Sequence, residues 1–194
     1  MMENLFQLEK RLGEILPRKR FLHSMGVMTT AFSMAITFKE DYEKAAIAGL
    51  IHDCAKYMTG EEMLLECYKN NIPVKPVEKL KPDLLHAKLG AFFAKNVYNI
   101  VDEEILSAIT WHTTGKPDMS KLEKIIFVAD YIEPNRSSST IPELDSIRKL
   151  SFENLEEAVC KILGDTVRYL EQSGLAIDET TAITYDYYKG NYGK

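Results

Sequence analysis

The chain is poor in cysteine, tryptophan, excess positive charge and strand-like alternation, and each shortage excludes something. Its 194 residues hold three cysteines and one tryptophan. Cys54, Cys67 and Cys160 are odd in number and widely spaced, which excludes both a disulfide framework and a Cys-x-x-Cys zinc pattern. A reducing cytoplasm is the simplest setting for them. No uninterrupted apolar stretch is long enough to span a bilayer. Residues 1–7 (MMENLFQ) have no basic segment leading into an apolar run, so no secretory signal is read there. With 24 Lys and Arg against 29 Asp and Glu, the net charge of -5 disfavours non-specific nucleic-acid binding. A local basic pocket for a small phosphorylated ligand stays open. Repeats, low-complexity blocks and convincing linkers are absent, so residues 1–194 are read as one domain.

Helical periodicity fills most of what is left. Leu5, Leu8, Leu12 and Ile15 form the stripe of a first helix that stops near Pro17. Phe21, Met25, Met28, Phe32 and Ala35 form a second stripe, read as core packing, with His23 beside it. A helix over about residues 41–54 is apolar on nearly every side, which marks it as buried. It ends in the pair His52-Asp53. A short helix spans about 60–70, and Pro73, Pro76 and Pro82 impose a loop whose Lys75, Lys79 and Lys81 are read as solvated. A helix from about Asp83 carries His86, and Asp102 caps one that runs through His112 to Gly115. Ser120 and Glu123 form a capping box before a helix ending in Asp130. Residues 135–140 read as a mobile polar loop, followed by helices over about 142–150 and 152–173 and a last one capped by Asp178. Tyr185, Tyr187, Tyr188 and Tyr192 in that tail read as packing residues. The apolar surface of these C-terminal helices suits the core or a homodimer. The fold class is all-α.

All four histidines, His23, His52, His86 and His112, fall in predicted helices or at their ends. Asp53 adjoins His52, and Asp130, one turn beyond Ile126, shares its inward face. Burying such groups is costly unless something pairs with them, so the choice lies between a hydrogen-bonded network and a metal ion. The donor set, imidazoles and carboxylates without thiolate, suits iron, manganese, cobalt, nickel or zinc better than calcium. Singly, each residue has a plain structural reading. Asp53 and Lys56, three apart, could be a helix salt bridge, and Arg136 a solvated loop charge.

The order His, His-Asp, His, His, Asp resembles the HD-domain superfamily of metal-dependent phosphohydrolases. Longer strings sharpen the likeness: residues 20–27 (RFLHSMGV), 52–56 (HDCAK), 112–115 (HTTG) and 119–136 (MSKLEKIIFVADYIEPNR). They resemble the YqeK family, the HD-type symmetrical diadenosine tetraphosphate hydrolases. Trp111 and Lys88 depart from it, standing where a tyrosine and an apolar residue are expected. The motif-bearing core runs over about 18–136 and the C-terminal helices over about 142–190.

The resemblance implies a helical bundle with a metal site in its core cleft. It implies His23, His52, Asp53 and Asp130 as metal ligands, with iron, as Fe2+, the expected metal. His86 and His112 would face substrate phosphate or hold a second metal, so one or two ions are anticipated. Arg20, Lys56 and Arg136 match basic positions near the nucleotide, and Asp53 and Lys56 are the candidate catalytic groups. The implied reaction is attack of metal-bound water on phosphorus, splitting diadenosine tetraphosphate into two ADP; a dinucleoside polyphosphate yielding ADP or GDP is the partner implied. Two other readings stand beside it. One is an HD-type hydrolase of a mononucleotide, a guanosine alarmone or a cyclic dinucleotide. The other is a nucleotide-binding regulatory module without turnover.

Overall fold

The apolar run at residues 45–55 lies at the centre of the computed structural model, which describes residues 5–139 and 141–192. Asp41 starts the helix by accepting from the backbone N–H of Glu43 and Lys44 at 2.9 and 3.0 Å. Such a cap contributes about 1 kcal/mol. The helix, α3 (Tyr42–Ile51), is followed by a turn that carries His52 and Asp53. Every residue from Ala45 to Ala55 is buried. Small side chains here let neighbouring backbones come close. A Cβ on Gly49 would lie 3.0 Å from the Met28 Cα of α2 (Arg18–Phe38).

That close approach explains why the second stripe differs from its sequence reading. The inward face of α2 is Ser24, Val27, Ala31, Met34 and Ala35, whereas Phe21, Met25 and Met28 sit on its flanks and Phe32 is exposed. Phe21, Met25 and Met28 pack partly buried against the core from the sides of α2, while its backbone comes close to α3 at Gly49. By length and composition α2 could cross a membrane, yet its small-residue face packs against α3 and α8 (Lys121–Ile132). The first stripe shifts too. In α1 (Leu5–Ile15) the core residues are Leu8 and Leu12, followed by Leu16, while Ile15 is exposed. Leu16 lies four residues after Leu12 and therefore shares its face.

The proline segment is not a plain loop. Pro76 opens a short helix, α5 (Pro76–Leu80), and Pro82 opens a 3-10 turn, Pro82–Leu84. Proline suits a first helical turn because its missing N–H would lack an intrahelical partner anyway. Nor are its lysines all solvated. Lys75 donates to Thr180 Oγ1 at 2.7 Å, and Lys81 donates to the Ala176 carbonyl at 3.3 Å, fastening this segment to the first turn of the last helix and to the chain before it. Lys79 stays exposed.

Asp102 and Ser120 cap helices as read from sequence, and Thr59 adds a cap the sequence reading did not name. Thr59 and Glu62 box the start of α4 (Gly60–Lys69), Asp102 caps α7 (Glu103–Trp111), and Ser120 with Glu123 boxes α8. Glu123 also receives Lys116 at 3.1 Å and the Ser107 hydroxyl, which ties α7 to α8. α6 (Leu85–Asn96) packs against α7. The C-terminal helices are α9 (Leu144–Glu153), α10 (Leu155–Gln172) and α11 (Glu179–Tyr192). Asp178 accepts from the Thr180 N–H at 2.8 Å at the start of α11. Tyr188 is buried there, and its hydroxyl accepts from the Met119 N–H at 3.1 Å. Gly115 adopts φ +62°, and a Cβ on it would lie 2.9 Å from Thr184, so α11 supports the loop that follows His112. The loop residues Asn135 and Arg136 are hydrogen-bonded rather than loose, and Thr140 at the end of that stretch lies outside the described residues. The described elements are all helical.

Gly49→Ala would force α2 and α3 apart against backbone atoms that cannot move aside. A loss of about 1–3 kcal/mol is expected, read as a lower urea midpoint with unchanged slope.

Candidate metal centre

Five helix ends or turns deliver six ligand-type side chains to one point. His23 comes from the second turn of α2, His52 and Asp53 from the turn after α3, and His86 from the first turn of α6. His112 stands just past α7, and Asp130 lies in the last turns of α8. All four histidines and Asp53 are buried, and Asp130 is half-buried.

Each imidazole is held by its far nitrogen. His52 Nδ1 meets the Gly49 carbonyl at 2.7 Å, and His112 Nδ1 meets that of Ile109 at 2.7 Å. His86 Nδ1 meets the Asp83 carbonyl, and His23 Nδ1 meets Glu133 Oε1 at 3.0 Å. A carbonyl or carboxylate can only accept, so Nδ1 carries the proton and Nε2 is turned to the centre. Metal-binding histidines are oriented in this way.

The Nε2 atoms form two groups with Asp53 between them. Asp53 Oδ2 lies 3.8 Å from His52 Nε2 and 3.9 Å from His23 Nε2. Its Oδ1 lies 3.4 Å from His86 Nε2 and 3.6 Å from His112 Nε2. Asp130 Oδ1 stands 3.0 Å from His23 Nε2 and 3.9 Å from His52 Nε2. Thus His23, His52 and Asp130 make one group with metal-ligand spacing, and His52, Asp53 and His112 make another. His52 Nε2 is fully buried without a hydrogen-bond partner among the described residues, a state that costs free energy unless a ligand meets it. The donor set therefore fits a divalent cation.

Charge agrees with that fit. Burial pushes His52 down to about 4 and His86 down to about 3, so both are neutral with lone pairs available near pH 7. Burial opposes ionisation of Asp53 and Asp130, but it is outweighed. The surrounding histidines, and Arg136 for Asp130, hold both carboxyls well below their usual range. Burial alone would lower His23, but its hydrogen bonds to Asp130 and Glu133 win and raise it to about 9. In the metal-free protein a proton on His23 Nε2 thus occupies a place a cation would take.

The basic residues named from sequence divide by position. Arg20 Nη1 reaches to 3.7 Å from Asp53 Oδ2 and is half-exposed at the mouth. The Lys56 ammonium makes no ion pair among the described residues, and its charge acts on His86. Arg136 lies across Asp130, with Nη2 2.7 Å from Oδ1 and Nε 3.0 Å from the backbone carbonyl. Two contacts escaped the sequence reading. Thr113 Oγ1 lies 3.1 Å from His86 Nε2. Glu133 holds His23, and the available signal was its spacing, one turn after Asp130 on the same helix face. Trp111 and Lys88 line a cavity of about 270 Å³ with Thr113; Lys88 is bonded there to Glu78 Oε1 at 2.7 Å.

Residues 20–135 match the HD domain family. The chain belongs to the HD-domain family. It is 38% identical over 172 residues to a Bacillus subtilis protein named bis(5'-nucleosyl)-tetraphosphatase, symmetrical, covering 89% of this chain and 90% of that one. It is 34% identical over 187 residues to a Staphylococcus aureus protein of the same name, covering 95% and 94%. Its structure resembles a crystal structure from Clostridium acetobutylicum described as a predicted HD superfamily hydrolase involved in NAD metabolism. The TM-score is 0.92 at 38% identity, covering 98% of this chain and 99% of that one.

Ligands bind metal in deprotonated form. Uptake of a divalent cation by the metal-free HD domain is therefore expected to release a proton from His23 and to tighten as pH rises toward about 9. Calorimetry in buffers of different ionisation enthalpy reads the proton directly, and pH-independent uptake would contradict the assignment. His52→Ala or Asp130→Ala is expected to abolish metal retention with helix content kept, measured by elemental analysis beside circular dichroism.

Proposed function

We propose that this HD protein is a symmetrical bis(5'-nucleosyl)-tetraphosphatase that hydrolyses diadenosine tetraphosphate to two ADP. One observation carries the reading. A chain alignable over nearly its whole length with proteins of that name keeps every ligand-type side chain converged on one point.

In this reading His23, His52, Asp53 and Asp130 hold the metal, with ferrous iron expected. His86 and His112 either hold a second ion with Asp53 or face substrate phosphate. The position of Asp53, with one oxygen toward each histidine group, favours the shared role. A bound divalent cation supplies Lewis acidity to a phosphate oxygen and activates water near neutral pH.

The chain's own groups do the rest. Asp53, held as an anion, orients the attacking water by accepting one of its protons in a hydrogen bond. The water oxygen bonds to one central phosphorus as that phosphorus's bond to the bridging oxygen breaks; the bridging oxygen stays on the second ADP, and the water's protons pass to solvent. Arg20, half-exposed beside Asp53, and Lys56, whose charge reaches His86, are read as holding the polyphosphate and offsetting its growing charge. Arg136 holds Asp130 in position and offers its exposed edge to phosphate. We also read the HD core and the C-terminal helices as one domain, since Tyr188 and Thr184 close onto the loop after His112. A cytoplasmic setting fits the free thiols of Cys54, Cys67 and Cys160.

The test is anaerobic incubation of ferrous-loaded protein with diadenosine tetraphosphate and chromatographic separation of products. ADP alone is expected, and its formation is lost in Asp53→Asn. AMP plus ATP would overturn the symmetrical register, and no turnover with iron bound would overturn the activity. Lys56→Ala is expected to lower kcat/KM by about 10- to 100-fold, the size of one charge-assisted contact of about 1.5–3 kcal/mol.

A further inference from the structure

His23 differs from the other three histidines in what holds it. His52, His86 and His112 each meet a backbone carbonyl three residues earlier in the chain. His23 meets a carboxylate 110 residues away, Glu133 Oε1, at 3.0 Å. Glu133 is only 1% exposed, so its charge is not there for solvent. Its other oxygen, Oε2, is fixed in turn. It accepts from the Asn135 backbone N–H at 2.6 Å and from Asn135 Nδ2 at 2.9 Å. Asn135 Nδ2 also donates to the Leu22 carbonyl at 3.1 Å, next to His23 in sequence.

The fold leaves a vacancy for this carboxylate. Gly26 lies one turn beyond His23 in α2, and a Cβ there would stand 2.2 Å from Glu133 Oε2 and 3.0 Å from Asn135 Nδ2. Any other residue at position 26 would push Glu133 off His23. A glycine in a helix interior is unfavourable by roughly 0.5–1 kcal/mol relative to alanine. Here the bare Cα is what admits the acid.

We infer that Glu133, seated in the Gly26 gap and clamped by Asn135, is a positioning residue that orients His23 and strengthens it as a metal donor. A carboxylate partner raises the basicity of a ligating imidazole more than a neutral carbonyl does. The group formed by His23, His52 and Asp130 therefore differs electronically from that formed by His52, Asp53 and His112. Glu133 meets His23 at Nδ1, the nitrogen turned away from the centre, so its role is exerted through the ring. The inference rests on the metal-site reading, not on the identity of the nucleotide.

The test uses cobalt(II) as the probe with full-length wild type, Glu133→Gln and Gly26→Ala. Glutamine keeps an acceptor for His23 but removes the charge. Alanine keeps the charge but displaces it, while favouring the helix by intrinsic propensity. Circular dichroism and the thermal midpoint of the metal-free proteins report folding. Chelator competition and the visible cobalt absorption report the site. Both variants are expected to bind cobalt about 10- to 100-fold more weakly than wild type, with shifted cobalt bands. With iron loaded, kcat is expected to fall while KM stays near wild type. A folded Glu133→Gln with wild-type affinity and spectrum overturns the inference. If Glu133→Gln fails to fold, Gly26→Ala decides: wild-type cobalt binding in it overturns the inference, and weakened binding supports it. Wild type that takes up no cobalt, manganese or iron instead overturns the metal-site reading and this inference with it.

Discussion

Two carboxylates and four imidazoles are brought into a space that water scarcely reaches, and the rest of the architecture answers to that. A buried anion is costly unless cations or hydrogen bonds face it. Asp53 is 4% exposed and stands among four Nε2 atoms, while His52 Nε2 has no hydrogen-bond partner among the described residues. The neighbouring helices must therefore come close and stay in register. Gly49 permits this between α2 and α3. Gly90 does so between α6 and the turn after α3, where a Cβ would lie 3.0 Å from the His52 carbonyl oxygen. The narrowness of these residues is part of the site's chemistry, because wider ones would separate the ligand groups.

Orientation follows the same economy. Three imidazoles donate their Nδ1–H to a local backbone carbonyl, so the turn that places each ring also selects its tautomer. His23 sits inside a helix whose carbonyls are already engaged, and it depends on Glu133 instead. The basic groups lie outside this inner set, at the mouth. A chain of net charge -5 thus still places a half-exposed guanidinium, that of Arg20, beside the cluster.

Much of this was legible beforehand because the relevant signals are local. The caps read at Asp102 and Ser120 act over three residues, and both cap helices. The unbroken apolar character of residues 45–51 could belong only to a buried helix. Where the reading shifted, the deciding contact was distant. Phe21, Met25 and Met28 satisfied helical periodicity, but the close packing of α3 selected the smaller face of α2. Lys75 and Lys81 looked solvated in a proline-rich stretch, until the segment before α11 came to lie against them.

The sequence by itself determined the all-helical class, the starts of most helices and the supply of ligand-type residues, because propensity, capping and side-chain chemistry are properties of short stretches. Tertiary structure decided which nitrogen of each histidine faces the centre, that Asp53 stands between two groups, and that Glu133 reaches His23 across 110 residues of chain. Those depend on distances between elements far apart in the chain. Helix packing sets such distances, and no local pattern of residues encodes them.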